Sequence, residues 1–86
     1  MKQPVITLEY IKRYPNSATS VKWRKKRVVI FAPGRGWWRP QGEGYTMVLA
    51  EAWAVPFETA LGHTAHISPK SIQIEYHLCD MPGNNL

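Results

Sequence analysis

Residues 36–46 read GWWRPQGEGYT, a run in which aromatic side chains are interleaved with proline and glycine. Tryptophan and tyrosine suit places where one side of the ring is buried and a hydrogen-bond partner is within reach. Proline fixes the backbone and glycine frees it. The run is therefore typical of a strand end that turns sharply, with Thr46 predicted as the N-cap of a following helix. It holds no recognisable nucleophile, general base or metal-ligand set, so it predicts a shape rather than a chemistry.

Before this run the pattern predicts a hairpin. Apolar residues alternate with polar ones over residues 5–14, and residues 15–17 (Pro-Asn-Ser) have the composition of a turn. Residues 20–31 then fit either one long edge strand with a basic outer face or two pieces separated by a tight turn near Lys25 and Lys26. The single strand is favoured.

Turn signals also flank the run itself. Residues 32–36 (Ala-Pro-Gly-Arg-Gly) predict a type II turn that leads into a short third strand over residues 37–39. Residues 47–53 fit a short helix, which ends before Pro56. Proline suits the first turn of a second helix, for which Gly62 is the predicted C-terminal stop.

The end of the chain completes the predicted sheet. Residues 72–78 alternate apolar and polar side chains, as a half-buried strand does, and residues 81–86 are predicted to form a frayed tail. The predicted order of elements is β-β-β-α-α-β. The fold class is therefore α+β, a small antiparallel sheet with one or two short helices packed on one face. A chain of 86 residues has room for one core, so residues 1–86 are predicted to form a single domain.

The composition, 44% hydrophobic and 12% aromatic, is that of a folded globule without a run long enough to span a membrane. The first residues, Met-Lys-Gln-Pro, lack the apolar core and the cleavage site of a secretory signal. A single cysteine, Cys79, excludes an internal disulfide and fits a reducing compartment. The predicted location is the cytoplasm.

The net charge of +5 hides an asymmetry along the chain. Residues 1–40 carry ten Lys and Arg against Glu9 alone, about +9, whereas residues 41–86 carry Lys70 against five acidic residues, about −4. Positive side chains in line can neutralise successive phosphates, and interleaved aromatic rings can stack on unpaired bases. The same charges would also keep an edge strand from pairing with another copy. The predicted contact residues are Lys22, Trp23, Arg24, Lys25, Lys26, Arg27, Arg35 and Arg39.

Other chemistries have weaker support in the sequence. His63 and His66, followed by His77 and Cys79, are zinc-ligand types, but their spacing matches no standard zinc pattern. Surface or half-buried histidines and a small buried thiol are the favoured explanation. The glycine pairs lack the spacing of a phosphate-binding loop, and neither a nucleophile elbow nor paired carboxylates are present. We therefore predict no enzymatic activity, no metal and no cofactor.

Residues 36–46, which we call the central run, resemble a segment of a loose family of small bacteriophage and prophage proteins that share a W-R-P-x-G-x-G-Y-T motif. The matching positions are Trp38, Arg39, Pro40, Gly42, Gly44, Tyr45, Thr46, Ala52 and Ala60. Where the family pattern tends to have glycine and then an aromatic residue two positions on, this chain has Trp53 and Val55, so the turn between the helices is expected to differ. The resemblance implies a phage or mobile-element origin and a small accessory role without catalysis.

Together these features predict a non-catalytic accessory protein that binds a macromolecular partner in the host cytoplasm. The favoured partner is a host protein or ribonucleoprotein complex that handles nucleic acid or serves in defence, such as a CRISPR effector, which the protein would inhibit. The alternative is a nucleic-acid-binding module, largely independent of sequence, that uses the basic segment 22–27. No membrane partner is predicted, and an edge strand left open would allow a two-fold dimer.

Overall fold

The computed structural model describes residues 5–68 and 70–79, which form an antiparallel sheet covered on one face by three short helices. The strands are β1 (Val5–Thr7), β2 (Arg27–Ala32), β3 (Gly36–Trp38), β4 (Tyr45–Thr46), β5 (Val55–Pro56) and β6 (Glu75–Leu78). The helices are α1 (Leu8–Arg13), α2 (Ala18–Trp23) and α3 (Phe57–Thr64), with 3-10 turns at Pro40–Gly42 and Leu49–Glu51. The α+β class and the antiparallel sheet are confirmed, but the order of the elements differs from the predicted one.

Strand β2 is the centre of the sheet rather than an edge. The strand order is β1-β6-β2-β3-β4, and β5 also pairs with β2. Val28 has Leu78 of β6 opposite it on one side and Val55 of β5 on the other. The long edge strand predicted over residues 20–31 is therefore wrong. Residues 28–31 of β2 are apolar on both faces of the strand because other side chains pack against part of each face of the sheet.

The predicted hairpin at the start of the chain is instead a strand followed by two helices. Strand β1 ends at Thr7, whose hydroxyl accepts a hydrogen bond from the Tyr10 N–H (3.1 Å) and so caps α1. Ser17 caps α2 in the same way, by accepting from the Ser20 N–H (3.1 Å). In both helices the buried residues lie three apart, which is helical spacing. They are Leu8 and Ile11 in α1 and Ser20 and Trp23 in α2.

The turn that leads into the central run is confirmed. The Arg35 N–H donates to the Ala32 carbonyl (2.9 Å), and Gly34 has a φ of +85°, the value typical of the third residue of a type II turn. Strand β3 then pairs back on β2, with Trp37 opposite Phe31. Local turn chemistry therefore places the central run beside the central strand.

The helix predicted after the central run is wrong, because the chain forms only a single 3-10 turn there. Thr46 lies in β4 and does not cap an α-helix. Its hydroxyl accepts from the Val48 N–H (3.0 Å) and donates to Glu51 Oε1 (2.8 Å). These two bonds hold residues 47–51 as an exposed loop directly after β4.

Helix α3 begins directly after Pro56, as predicted, but it runs through Gly62 instead of stopping there. Its last residue, Thr64, is buried, and its hydroxyl donates to the Ala60 carbonyl (2.8 Å). Because the single hydroxyl proton is used in this way, the Thr64 oxygen accepts the hydrogen bond from the Tyr76 hydroxyl (2.7 Å). Burial raises the pKa of Tyr76 to about 12, so the phenol stays protonated and ties α3 to β6.

The main core lies between the helices and one face of the sheet. Its members are Ile6, Leu8, Ile11, Trp23, Val28, Ile30, Ala32, Val55, Phe57, Ala60, Ile74 and Tyr76. The opposite face carries a much smaller cluster of Val29, Ala52 and Ala54, against which Trp37 and Cys79 pack. In the described part of the chain, that second face is left without a helix.

Strand β6 covers the second half of the strand predicted over residues 72–78. The tail predicted from residue 81 lies outside the described residues. None of the described helices is long and apolar enough to cross a membrane.

Candidate functional site

Four cationic side chains lie in the last turn of α2 and in the turn that joins it to β2. We call this set, Lys22, Arg24, Lys25 and Lys26, the basic corner. The Lys25 N–H donates to the Lys22 carbonyl (3.3 Å) and the Lys26 N–H to the Trp23 carbonyl (3.0 Å), which builds the turn. Lys22, Arg24 and Lys25 are exposed and Lys26 is half-buried. The corner replaces the predicted basic edge strand as the place where these charges meet.

The basic corner is anchored from beneath by Trp23. This predicted contact residue is 6% exposed, and its ring packs on Phe57 with centroids 6.3 Å apart. The Phe57 N–H donates to the Lys26 carbonyl (2.9 Å), which fixes the end of the turn on α3. Contrary to the prediction, Trp23 holds the surface in place and is not available to stack on a base, because its ring is packed in the core.

No described carboxylate lies within salt-bridge distance of the basic corner. The single ion pair within residues 5–68 and 70–79 joins His77 Nε2 to Glu75 Oε1 (2.9 Å). The Arg24 guanidinium donates to a neutral group, the Pro15 carbonyl (3.3 Å), which leaves its charge in place. Four like charges within five residues give this part of the surface a positive potential that attracts anions.

A cavity of about 260 Å³ opens beside the corner. Its lining residues are Thr19, Lys22, Trp23, Lys26 and Leu78. Thr19 and Lys22 lie three apart on one face of α2, so a hydroxyl and two lysine side chains line the same hollow. Hydrogen-bond donors combined with positive charge suit an anionic group such as a phosphate.

The other predicted contact residues lie elsewhere. Arg27 begins β2, and its guanidinium donates to the Ala54 carbonyl (3.0 Å). Arg35 lies in the turn at the other end of β2, with its guanidinium 5.9 Å from the centre of the Tyr45 ring. A strand of six residues spans about 20 Å, so Arg35 lies about that far from the basic corner. Arg39 is exposed and follows β3. The predicted set is therefore split between the corner and more distant parts of the sheet.

Three rings, which we call the aromatic patch, lie together on the sheet face opposite the helices. Phe31 of β2 and Trp37 of β3 have ring centroids 4.7 Å apart, and His77 of β6 lies 5.0 Å from Trp37 and 5.8 Å from Phe31. All three side chains are half-buried. The sequence does not reveal the patch, because it depends on which strands are neighbours. The one local signal is the alternation that sets His77 on the side of β6 opposite Tyr76.

The candidate zinc ligands are dispersed. His63 packs edge-on against the Trp53 ring (4.9 Å), whereas His77 belongs to the aromatic patch. The Cys79 N–H donates to the Arg27 carbonyl (3.0 Å) at the opposite end of β2 from that patch. In the described residues, no three His, Cys, Asp or Glu side chains form a group that could hold a metal ion.

Two surface features therefore stand apart from the core, the basic corner and the aromatic patch. The resemblance of the central run to phage proteins stays a prediction. Comparisons with protein-family models, with curated proteins and with solved structures find no match to this chain.

Proposed function

We propose that this protein is a non-catalytic accessory protein of phage or mobile-element type that binds the phosphate backbone of nucleic acid in the host cytoplasm. The observation that carries the proposal is the basic corner, four cations within five residues that no described carboxylate neutralises. Lysine and arginine side chains that neutralise phosphates release condensed counterions, and this release supplies essentially all of non-specific affinity.

The binding is largely independent of base sequence. Three of the four side chains of the corner are lysines, whose ammonium groups act as point charges and do not form the planar paired contacts that read a base edge. Helix α2 has six residues, about 9 Å, so it is too short to present several side chains along a major groove. The corner therefore suits the phosphate backbone rather than the bases.

Salt dependence tests this function. Fluorescence anisotropy with short labelled strands and duplexes of DNA and RNA is expected to show affinity that falls as salt rises from about 50 to 200 mM. For duplex DNA the slope of log affinity against log salt is expected to be about −3 to −4, because each of four phosphate contacts contributes about −0.9. Absence of binding at the lowest salt, or binding that salt does not weaken, would contradict the proposal.

A second candidate function is the inhibition of a host protein or ribonucleoprotein complex that handles nucleic acid, such as a defence complex of the CRISPR-effector kind. It is favoured by three consecutive exposed apolar residues in the loop after β4, Met47 (77% exposed), Val48 (52%) and Leu49 (40%). Runs of exposed apolar side chains are unusual on a monomer surface and mark sites of protein contact. The Thr46 hydroxyl, bonded to Val48 and Glu51, holds this loop in one shape.

Capture from host lysate, with and without nuclease, tests the second candidate. A stoichiometric protein that resists nuclease and is lost with Met47→Ser/Leu49→Ser supports it, because the apolar loop is then the contact. Tyr14→Ser is the matched control, since it removes an exposed apolar side chain elsewhere. Capture that nuclease abolishes would instead show that contact runs through nucleic acid, and it would contradict a direct protein contact at this loop.

A further inference from the structure

We propose that the aromatic patch is a stacking platform for unpaired bases, which makes single strands the preferred nucleic acid of this protein. The proposal rests on the nucleic-acid contact proposed for the basic corner and names the substrate class. It adds a second site, on a different face of the molecule, to the one that neutralises phosphates.

The patch is a continuous surface of rings contributed by three neighbouring strands. Phe31 and Trp37 are paired directly across β2 and β3, and Glu75 of β6 lies opposite Phe31 on the other side. Each pair of rings within the patch has centroids less than 6 Å apart. Bases stack on such surfaces without regard to sequence, because every base has a π-face.

The position of the patch distinguishes it from the core. The main core uses the other face of the same strands, where Val28 and Ile30 meet the helices. On the patch side Trp37 packs against the small cluster of Val29, Ala52 and Ala54. Rings therefore remain half-buried on a face that, in the described part of the chain, no helix covers.

The spacing of the rings argues against a cage for a methylated ammonium group. Such a cation lies over the faces of several rings at once, which requires open space between them. Here the rings of Phe31, Trp37 and His77 pack on one another at 4.7 to 5.8 Å, so the space between them is filled. The ring planes are inclined to one another by 56° to 77°, so a flat ligand such as a base would stack on one ring of the patch at a time.

Charge favours a nucleic acid over an apolar protein segment as the occupant. The chain carries a net charge of +5, and Phe31 lies four residues along β2 from Arg27, about 13 Å from the strand end where the basic corner begins. One flexible single strand can therefore place bases on the patch and phosphates at the corner. Glu75 bounds the patch, with Oε1 2.9 Å from His77 Nε2, so the phosphates of a strand bound there would have to lie away from this carboxylate.

The experiment compares the affinity of a short oligo(dT) strand with that of a duplex of equal length. Wild-type protein is expected to bind the strand more tightly than the duplex, because paired bases cannot offer their faces to the rings. Phe31→Leu/Trp37→Leu is expected to weaken binding of the strand by about 10-fold to 100-fold and to leave the duplex unchanged. Trp53→Leu, which removes a half-buried ring outside the patch, is the matched control and is expected to change neither affinity.

The outcomes separate this proposal from the function on which it rests. If wild-type protein binds both forms equally, or if the double variant weakens both equally, the platform is refuted and the basic corner stands. If wild-type protein binds neither form, both proposals fail. A thermal melt checks that the double variant is folded. If it is not, His77→Ala, which removes another ring of the patch, is expected to weaken binding of the strand and not of the duplex. Unchanged binding of the strand by that variant would contradict the platform.

Discussion

Lys22→Glu/Lys25→Glu is expected to lower the affinity for duplex DNA by about 100-fold at 50 mM salt. Both side chains are exposed in the basic corner, and no described carboxylate neutralises them. Each phosphate contact makes the logarithm of the affinity fall by about 0.9 for every tenfold rise in salt. Between 1 M and 50 mM salt, one contact therefore raises the affinity by about 1.2 decades. Two lost contacts therefore remove slightly more than two decades, and the salt slope is expected to become shallower by about 2.

The matched control for this variant is Lys12→Glu/Lys70→Glu, which changes the net charge by the same amount. Both lysines are exposed, and Lys12 Nζ donates to the Ile67 carbonyl (3.0 Å) in the loop before β6. That loop leads to the Glu75 end of β6, which pairs with Phe31 and so lies away from the corner. Equal losses in the two double variants would show that overall charge, and not the basic corner, supports binding.

Gly36→Ala is expected to lower the free energy of unfolding by about 3 kcal/mol. Gly36 has a φ of +124°, a conformation that costs a residue with a side chain about 1 to 3 kcal/mol. A Cβ there would lie 2.8 Å from the Thr46 carbonyl oxygen and 3.1 Å from Met47 Sδ. The carbonyl belongs to β4, which pairs with β3 at Trp37 and Trp38, so it cannot move away without disturbing the pairing that holds the central run.

Two other glycines provide controls, with urea denaturation as the measurement. Gly34→Ala is expected to cost about 1 kcal/mol, since φ is +85° but no atom lies within 4 Å of the added Cβ. Gly62→Ala, inside α3 and equally unobstructed, is expected to stabilise the fold by about 0.5 to 1 kcal/mol. A loss at Gly36 no greater than that at Gly34 would contradict the close approach of β3 and β4.

The parts of the fold that the sequence predicted correctly are those with a local cause. The turn before the central run follows from the Pro33-Gly34 pair, and α3 follows from the proline that precedes it. The alternation around Tyr76 marks β6 because one side of that strand is buried and the other is not.

The parts that were predicted wrongly depend on choices between two periodicities. Residues 5–14 alternate well enough for a strand, yet Leu8 and Ile11 also lie three apart, and the Thr7 hydroxyl decides in favour of a helix by capping it. The same applies to residues 18–23, where Ser17 is the cap. A side-chain cap is visible in the sequence, but it acts only when the following residues can also bury a helical face.

Part of the candidate site could likewise be predicted from the sequence, and part of it could not. The cluster of charges in the basic corner can be recognised in the sequence because its four members are close along the chain, at Lys22, Arg24, Lys25 and Lys26. Its placement on a helix end, and the use of Trp23 as its anchor, required the structure. The aromatic patch joins residues from β2, β3 and β6, and no local pattern reports the register among those strands.

The position of β6 between β1 and β2 has a consequence for synthesis of the chain. Val5 and Val29 both lie opposite His77, so the first and second described strands are joined only through the last one. On the ribosome, β1 and β2 emerge long before the strand that connects them, and until then each has an unpaired edge. The sheet therefore closes late, and a chain truncated before β6 would have a first strand without its partner.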